Sequence, residues 1–327
     1  MILDKKLLYL VNVGAGKGRI RGKLADIVDI FTKSGYDTLV HTTQAPMDAY
    51  QVVRDHGAAF DMVVCSGGDG TLNEAINGLL ACGKAPCFGY IPTGTVNDFA
   101  SGLEIPKDPL KAAQVVVAGM PFPCDIGKFN DRYFSYVAAF GAMTEISYQT
   151  PQKTKNSFGY MAYLFEAIKR ISEDHAYRLR IEANGQIYEG QFMLGLITNA
   201  SFVGGFKNII YKDILPDDGL FEVTLVRKPN NLGGLNTIIN NAILHDVQSE
   251  YIYFIRSSRI AITVLDGEMP WTVDGEYGGA PDQIVIENIH RGLSIMVPQR
   301  QQPGEKQPAL SPAAKETARL EAGEKKA

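Results

Sequence analysis

No apolar run in the chain approaches the ~18 residues needed to cross a bilayer as a helix, so a helical membrane span is not expected. The opening Met1-Ile2-Leu3-Asp4-Lys5-Lys6 is too short and too charged for a signal peptide. Cysteine is scarce. Cys65, Cys82, Cys87 and Cys124 show no paired metal spacing, which argues against both a disulfide framework and a cysteine metal site. Free thiols in a reducing, cytoplasmic setting are expected. An excess of positive charge is also missing: 32 Lys and Arg face 36 Asp and Glu, a net charge of −4. A dedicated nucleic-acid binder would carry a basic face, so no nucleic-acid partner is expected. There is no internal repeat.

The most informative stretch is Gly67-Gly68-Asp69-Gly70-Thr71-Leu72-Asn73-Glu74. Ahead of it, Asp61-Met62-Val63-Val64-Cys65 is a short β-rich run of the kind found in buried strands. Behind it, Leu72, Ala75, Ile76, Leu79 and Leu80 recur at helical spacing, and Gly83 closes the segment. The glycines therefore stand at a strand-to-helix turn. Without Cβ atoms they let a phosphate reach the backbone, and the helix start offers N–H donors at its positive end. Asp69 is unusual there. A carboxylate repels phosphates unless a cation lies between, so the turn points to a Mg²⁺–nucleotide site.

At 327 residues two domains fit. Residues 1–125 alternate strand and helix patterns, which predicts a parallel sheet with helices on both faces. The loops at 12–18, 67–71 and 92–98 all follow predicted strands, where ligands bind in such sheets. Near Cys124 the pattern changes to extended runs joined by tight turns, Asn130-Asp131 and Asn184-Gly185 among them. Residues 126–298 are expected to form an antiparallel β-sandwich with helical inserts at 158–171 and 235–244. Strands are expected at 220–227, 252–264, 283–287 and 293–297. Pro, Gln, Ala, Lys and Glu dominate 299–327, which reads as a disordered tail.

Two commoner phosphate signatures are excluded. Residues 12–18 contain Gly16-Lys17, but Val11 and Gly18 stand where a P-loop needs Gly and Ser or Thr. A dinucleotide fingerprint would need glycine at Arg19.

Segments 12–18, 67–74, Pro92-Thr93-Gly94-Thr95-Val96-Asn97-Asp98-Phe99-Ala100, 157–163, 216–220 and 273–276 together resemble, in order, the diacylglycerol kinase catalytic-domain family. That family includes sphingosine kinases and soluble bacterial lipid kinases. Gly-Gly-Asp-Gly-Thr alone is shared with NAD kinases and phosphofructokinases, whereas 92–100 looks like the lipid-kinase loop. The resemblance implies ATP- and Mg²⁺-dependent transfer of a γ-phosphate to a hydroxyl of diacylglycerol or a similar lipid, met at a membrane surface. It implies a donor site lined by Asn12, Gly16, Thr43, Gly67, Gly68, Asp69, Gly70, Thr71 and Thr95. A charge network of Lys17, Asp69 and Asp98 would lie beside the phosphates, with Asp125 as a further acidic residue near the metal. Similar proteins carry Pro and Ser where Val13 and Ala15 stand, which removes one hydroxyl from the first loop.

By the same resemblance, Glu276 is the general base, accepting the acceptor hydroxyl's proton. Asp266-Gly267-Glu268 repeats the three letters but lacks the run that leads from 281 into the final strands. A second, structural metal site would use the Asp218 side chain with backbone oxygens of Leu215 and Leu220, a ligand set suited to a hard cation. Phe158, Met161, Ala162, Phe165 and Ile168 form an apolar stripe that is either core or lipid contact. A second copy of the chain is admitted as a partner, and oligomeric state does not follow from these residues. A kinase of a soluble molecule such as NAD and a catalytically silent nucleotide-binding regulator remain the alternatives.

Overall fold

The computed structural model describes residues 5–83, 86–141, 176–199, 202–203, 206–207, 214–229, 234, 238 and 250–299, with Lys17, Phe202, Val203, Phe206 and Lys207 in backbone only. The expected helix at 158–171 and the tail from 300 lie outside these residues. Of 235–244, Ile238 alone is described, and it is buried.

The first half alternates β1 (Lys5–Val11), α1 (Leu24–Lys33), β2 (Tyr36–Thr42), α2 (Asp48–His56), β3 (Met62–Gly67), α3 (Asp69–Ala81), β4 (Cys87–Pro92), α4 (Asp98–Gly102) and α5 (Pro109–Ala118). The strands pair in parallel in the order β2-β1-β3-β4. Every residue of β3, and of β1 from Leu7 onward, is buried. Such strands need both faces covered, and α1 packs with α5 while α2 packs with α3. The α3 face is the predicted one, with Leu72, Ala75, Ile76 and Leu79 buried. Asp108 caps α5 by accepting from Leu110 N and Lys111 N, ahead of Pro109 at the first turn.

The second half is antiparallel. Its strands are β5 (Met120–Phe129), β6 (Arg132–Phe134), β7 (Val137–Gly141), β8 (Tyr177–Ala183), β9 (Gln186–Thr198), β10 (Phe202–Val203), β11 (Phe206–Lys207), β12 (Phe221–Arg227), β13 (Ile252–Ser257), β14 (Arg259–Asp266), β15 (Trp271–Val273), β16 (Glu276–Gly279) and β17 (Gln283–Val297). Both predicted turns close hairpins: Asn130-Asp131 joins β5 to β6, and Asn184-Gly185 joins β8 to β9. Asn184 and Gly185 both have positive φ, 52° and 74°, which gives the turn the twist its strands need. The sandwich core gathers side chains from β5, β7, β8, β9, β12, β14, β15 and β17. Trp271 is fully buried within it, edge-on to Phe129 at 5.0 Å and Phe140 at 5.1 Å.

Two sequence expectations change. The run 252–264 is two strands, β13 and β14, broken at Ser258. Conversely, 283–287 and 293–297 are one strand, β17. Asn288-Ile289-His290-Arg291-Gly292 between them is a bulge where the register against β5 shifts. Arg291 sits there at φ 52° and its N–H is fixed by Asp125 Oδ1 at 2.7 Å. Below the bulge β17 pairs with β14; beyond it Ile295 pairs in parallel with Phe88 of β4. One strand thus ties the sandwich to the parallel sheet.

Trp271→Ala removes the largest fully buried side chain and is expected to cost about 3–5 kcal/mol of stability. Equilibrium urea unfolding measures it, and a loss below about 1 kcal/mol would show that the sandwich core does not depend on this ring.

Candidate active site

In the parallel sheet β1 has β2 on one side and β3 on the other. The crevice beyond their carboxyl ends is where an open α/β sheet binds ligands. The ladders continue past the strand ends, Asn12 N–H donating to Ser66 O at 2.8 Å and Thr93 N–H to Gly67 O at 2.9 Å. The three exit loops are therefore packed together. A Cβ on Gly94 would stand 2.5 Å from Gly68 Cα, and one on Gly16 would collide with the Thr93 carbonyl oxygen. Only glycine permits that approach.

Side chains lock the loops. Asn12 Oδ1 accepts from the N–H groups of Gly14 and Ala15, while its Nδ2 donates to Thr71 Oγ1 at 2.9 Å. Asn97, at φ 56°, caps α4 and closes a tight loop, its Oδ1 accepting from Gly94 N–H at 3.0 Å and its Nδ2 donating to Gly94 O at 2.9 Å. The Tyr90 hydroxyl lies 3.2 Å from both Gly67 O and Asn97 Oδ1.

Asp69 begins α3, with Gly68 extended before it. Its Oδ2 accepts the Asn97 N–H at 3.0 Å, whereas Oδ1 is buried with no hydrogen-bond partner. Burial, and then the charge of Asp98, push its carboxyl up to about 6; Asp274 adds to this and the Asn97 N–H opposes it. Asp98 is 1% exposed. A buried carboxylate with an unused oxygen and acidic neighbours has the character of a divalent-cation ligand.

Beside the α3 start opens a cavity of about 680 Å³ lined by Asn12, Thr43, Gly70, Thr71, Glu276 and, at its rim, Met47 and Tyr277. Glu276 Oε1 lies 3.5 Å from the place a Cβ would take on Gly70. The structure therefore brings Asn12, Thr43, Gly70, Thr71 and Glu276 to one cavity, with Gly67, Gly68 and Asp69 in the adjoining turn. Gly16 packs behind them, and Thr95 is exposed on the 93–97 loop, outside the cavity lining. Lys17 lies in the short turn Ala15–Gly18, and its side chain is outside the described residues. Glu268 is not among the lining residues.

Asp125 and the 215–220 loop form a second cluster. Asp125 is fully buried in β5. Its Oδ1 accepts from Arg291 N–H at 2.7 Å and stands 3.0 Å from His290 Nδ1, and Oδ2 accepts from Gly219 N–H at 2.6 Å. It joins the β17 bulge to that loop. Asp218 Oδ1 accepts from Leu220 N–H at 3.0 Å, and its Oδ2 is paired with the Arg256 guanidinium. Arg256 also reaches buried Glu222 at 3.3 Å. Leu215 is exposed. The guanidinium thus balances the charge of Asp218.

Sequence reasoning missed the groups that tie the elements around the site together. Asp274, 3% exposed, accepts five hydrogen bonds: from Ser135 N–H and Oγ, Tyr136 N–H, Val137 N–H and Asn73 Nδ2, at 2.6–3.1 Å. Burial raises its carboxyl above the ordinary range against the pull of those amides. Asn77, four residues after Asn73, exchanges hydrogen bonds with the Tyr133 backbone at 3.0 Å in both directions. Glu74 Oε1 accepts from Met47 N–H at 2.9 Å. The one available signal was Asn73, Glu74 and Asn77 falling between the apolar positions of α3.

Residues 6–129 match the diacylglycerol kinase catalytic domain, and residues 138–296 match the YegS C-terminal NAD kinase beta sandwich-like domain. The diacylglycerol kinase of Bacillus subtilis (strain 168) is 33% identical over 298 residues, covering 90% of this chain and 97% of that protein. That of Staphylococcus carnosus (strain TM300) is 34% identical over 280 residues, covering 85% and 90%. The fold is shared with a crystal structure of a diacylglycerol kinase from Bacillus anthracis str. Sterne, at a TM-score of 0.69 and 22% identity over 90% of this chain and 97% of that one. With this likeness running through both domains, the chain belongs to the diacylglycerol kinase catalytic-domain family, as a diacylglycerol kinase-like enzyme.

Proposed function

We propose that the chain transfers the γ-phosphoryl group of ATP to a hydroxyl of diacylglycerol or a closely similar lipid. The observation that carries this reading is Asp69, a carboxylate with one buried, unpartnered oxygen in the glycine turn that adjoins a cavity lined by Gly70, Thr71 and Glu276. Asp69, with Asp98 beside it, is the pair suited to hold Mg²⁺, which when bound would neutralise charge on the donor phosphates. The N–H groups at the start of α3 face the same space and favour an anion. Thr71 receives its hydrogen bond from Asn12 and so has its own hydroxyl proton to donate. Thr43 lines the far side of the cavity.

Glu276 is the group proposed to take the proton from the lipid hydroxyl as its oxygen attacks phosphorus. Its neighbour is the first turn of α3, where the phosphates would lie. The acceptor would be met at a membrane surface, although no helix among the described residues is long and apolar enough to cross one. Asp218 enters no step, because a cation there would compete with Arg256.

Glu276→Gln is expected to lower kcat by about 10²–10⁴-fold with the melting temperature unchanged. A labelled-ATP assay against diacylglycerol, sphingosine, ceramide, phosphatidylglycerol and NAD measures turnover and acceptor together. Product on NAD alone would replace the lipid reading, and no product on any acceptor would favour a silent nucleotide binder.

Asp69→Asn separates stability from activity. The folded carboxyl, at about 6, is raised above its ordinary 3.8. Its stability contribution is therefore complete below about pH 4 and is lost as pH rises through 6. In the nucleotide-free protein the substitution should remove that loss, a gain of up to about 3 kcal/mol at pH 7, while abolishing turnover. Thermal melts at pH 4 to 8 in chelator test it; equal destabilisation at every pH would refute it.

A further inference from the structure

The proposed base is carried on a hairpin whose turn is pinned in place by one buried carboxylate. Asp274 and Gly275 occupy the two turn positions between β15 and β16 at φ 48° and 85°, the left-handed pair that a two-residue hairpin demands. Glu276 is the next residue. Gly70 and Asn73 are three apart on α3 and share a face. Glu276 Oε1 lies against Gly70, and Asp274 Oδ2 accepts from Asn73 Nδ2 at 2.8 Å. The β6–β7 segment holds the same carboxylate: the Ser135 N–H and hydroxyl donate to Oδ2 alongside Asn73, and the N–H groups of Tyr136 and Val137 donate to Oδ1. Its own N–H donates to Val137 O at 2.8 Å. One carboxylate thus fastens the hairpin to the sandwich and to the helix whose first turn is the glycine nest.

We infer that Asp274 is a positioning residue for the phosphoryl transfer: it fixes the distance between Glu276 and the α3 start, so that the base and the donor phosphates are set by one joint. This rests on the role of Glu276 proposed above. Asp274 touches no reacting atom, and its effect must run through Glu276.

The test is a kinetic cycle on the full chain with diacylglycerol in mixed micelles, using D274N, E276Q and the double variant. Asparagine keeps the size but presents an NH₂ to N–H donors. D274N should lower kcat at least 30-fold with the KM for ATP changed less than threefold. The double variant should be no more than twofold slower than E276Q, because a misplaced base and an absent one are equivalent. A multiplicative loss in the double variant, a D274N kcat within threefold of the unsubstituted chain, or a loss confined to KM would each overturn the proposal. Full turnover in E276Q would remove both the base and the need to position it, and is told apart by that single variant. Where D274N fails to fold, S135A decides. It removes one hydroxyl donor and leaves the backbone donors, so kcat should fall three- to tenfold in the Glu276 background and not in E276Q. Equal losses in both backgrounds would refute the coupling.

Discussion

The structure is organised around acidic side chains gathered out of water at the carboxyl end of the parallel sheet. Asp69 and Asp98 lie side by side at the switch point of the parallel sheet, with Asp274 close enough to be felt. Desolvation makes such a cluster unfavourable, and at Asp69 the Asn97 N–H on one oxygen does not offset it. Other features follow from keeping this cluster in place. Gly94 and Gly16 allow the three loops to close around it, and Asn12 and Asn97 satisfy the backbone that the loops expose. In kinase chemistry catalysis is mostly positioning and charge neutralisation, which makes the fixed placement of these groups the feature that matters.

The second domain contributes Glu276 to the cavity lining and holds the hairpin that carries it. Its packing is built on Trp271 and its aromatic neighbours, two residues before Val273 and the Asp274 turn. The core strand and the active hairpin are thus the same piece of chain. β17 adds rigidity by pairing with β14 at one end and β4 at the other. A cavity shared between domains stays well defined only when the domains cannot slide, and a continuous strand restrains that motion at little entropic cost.

Much of this was legible before any coordinates. Hydrophobic period separated strands from helices through β4 and α5, and the Asn184-Gly185 and Asn130-Asp131 turns announced their hairpins. The Gly67–Thr71 turn was readable because nest, dipole and missing Cβ atoms are all local properties. Asp125 was not. As a letter between two domains it looked like a further acidic group near the metal; in space it is saturated by Arg291, His290 and Gly219. Asp218 likewise carried no sign that Arg256, 38 residues on, would stand against it. The bulge in β17 made one strand read as two.

Sequence alone determined the alternating architecture, the glycine nest and the acidic residue inside it, since each depends on neighbours a few positions away. Tertiary structure decided which carboxylates are saturated by donors and which keep an unpartnered oxygen. Asn73 and Asp274 meet across 201 residues, and no periodicity encodes such a pairing. A carboxylate's role is set by how many donors converge on it, and that number exists only once distant strands have closed around the side chain.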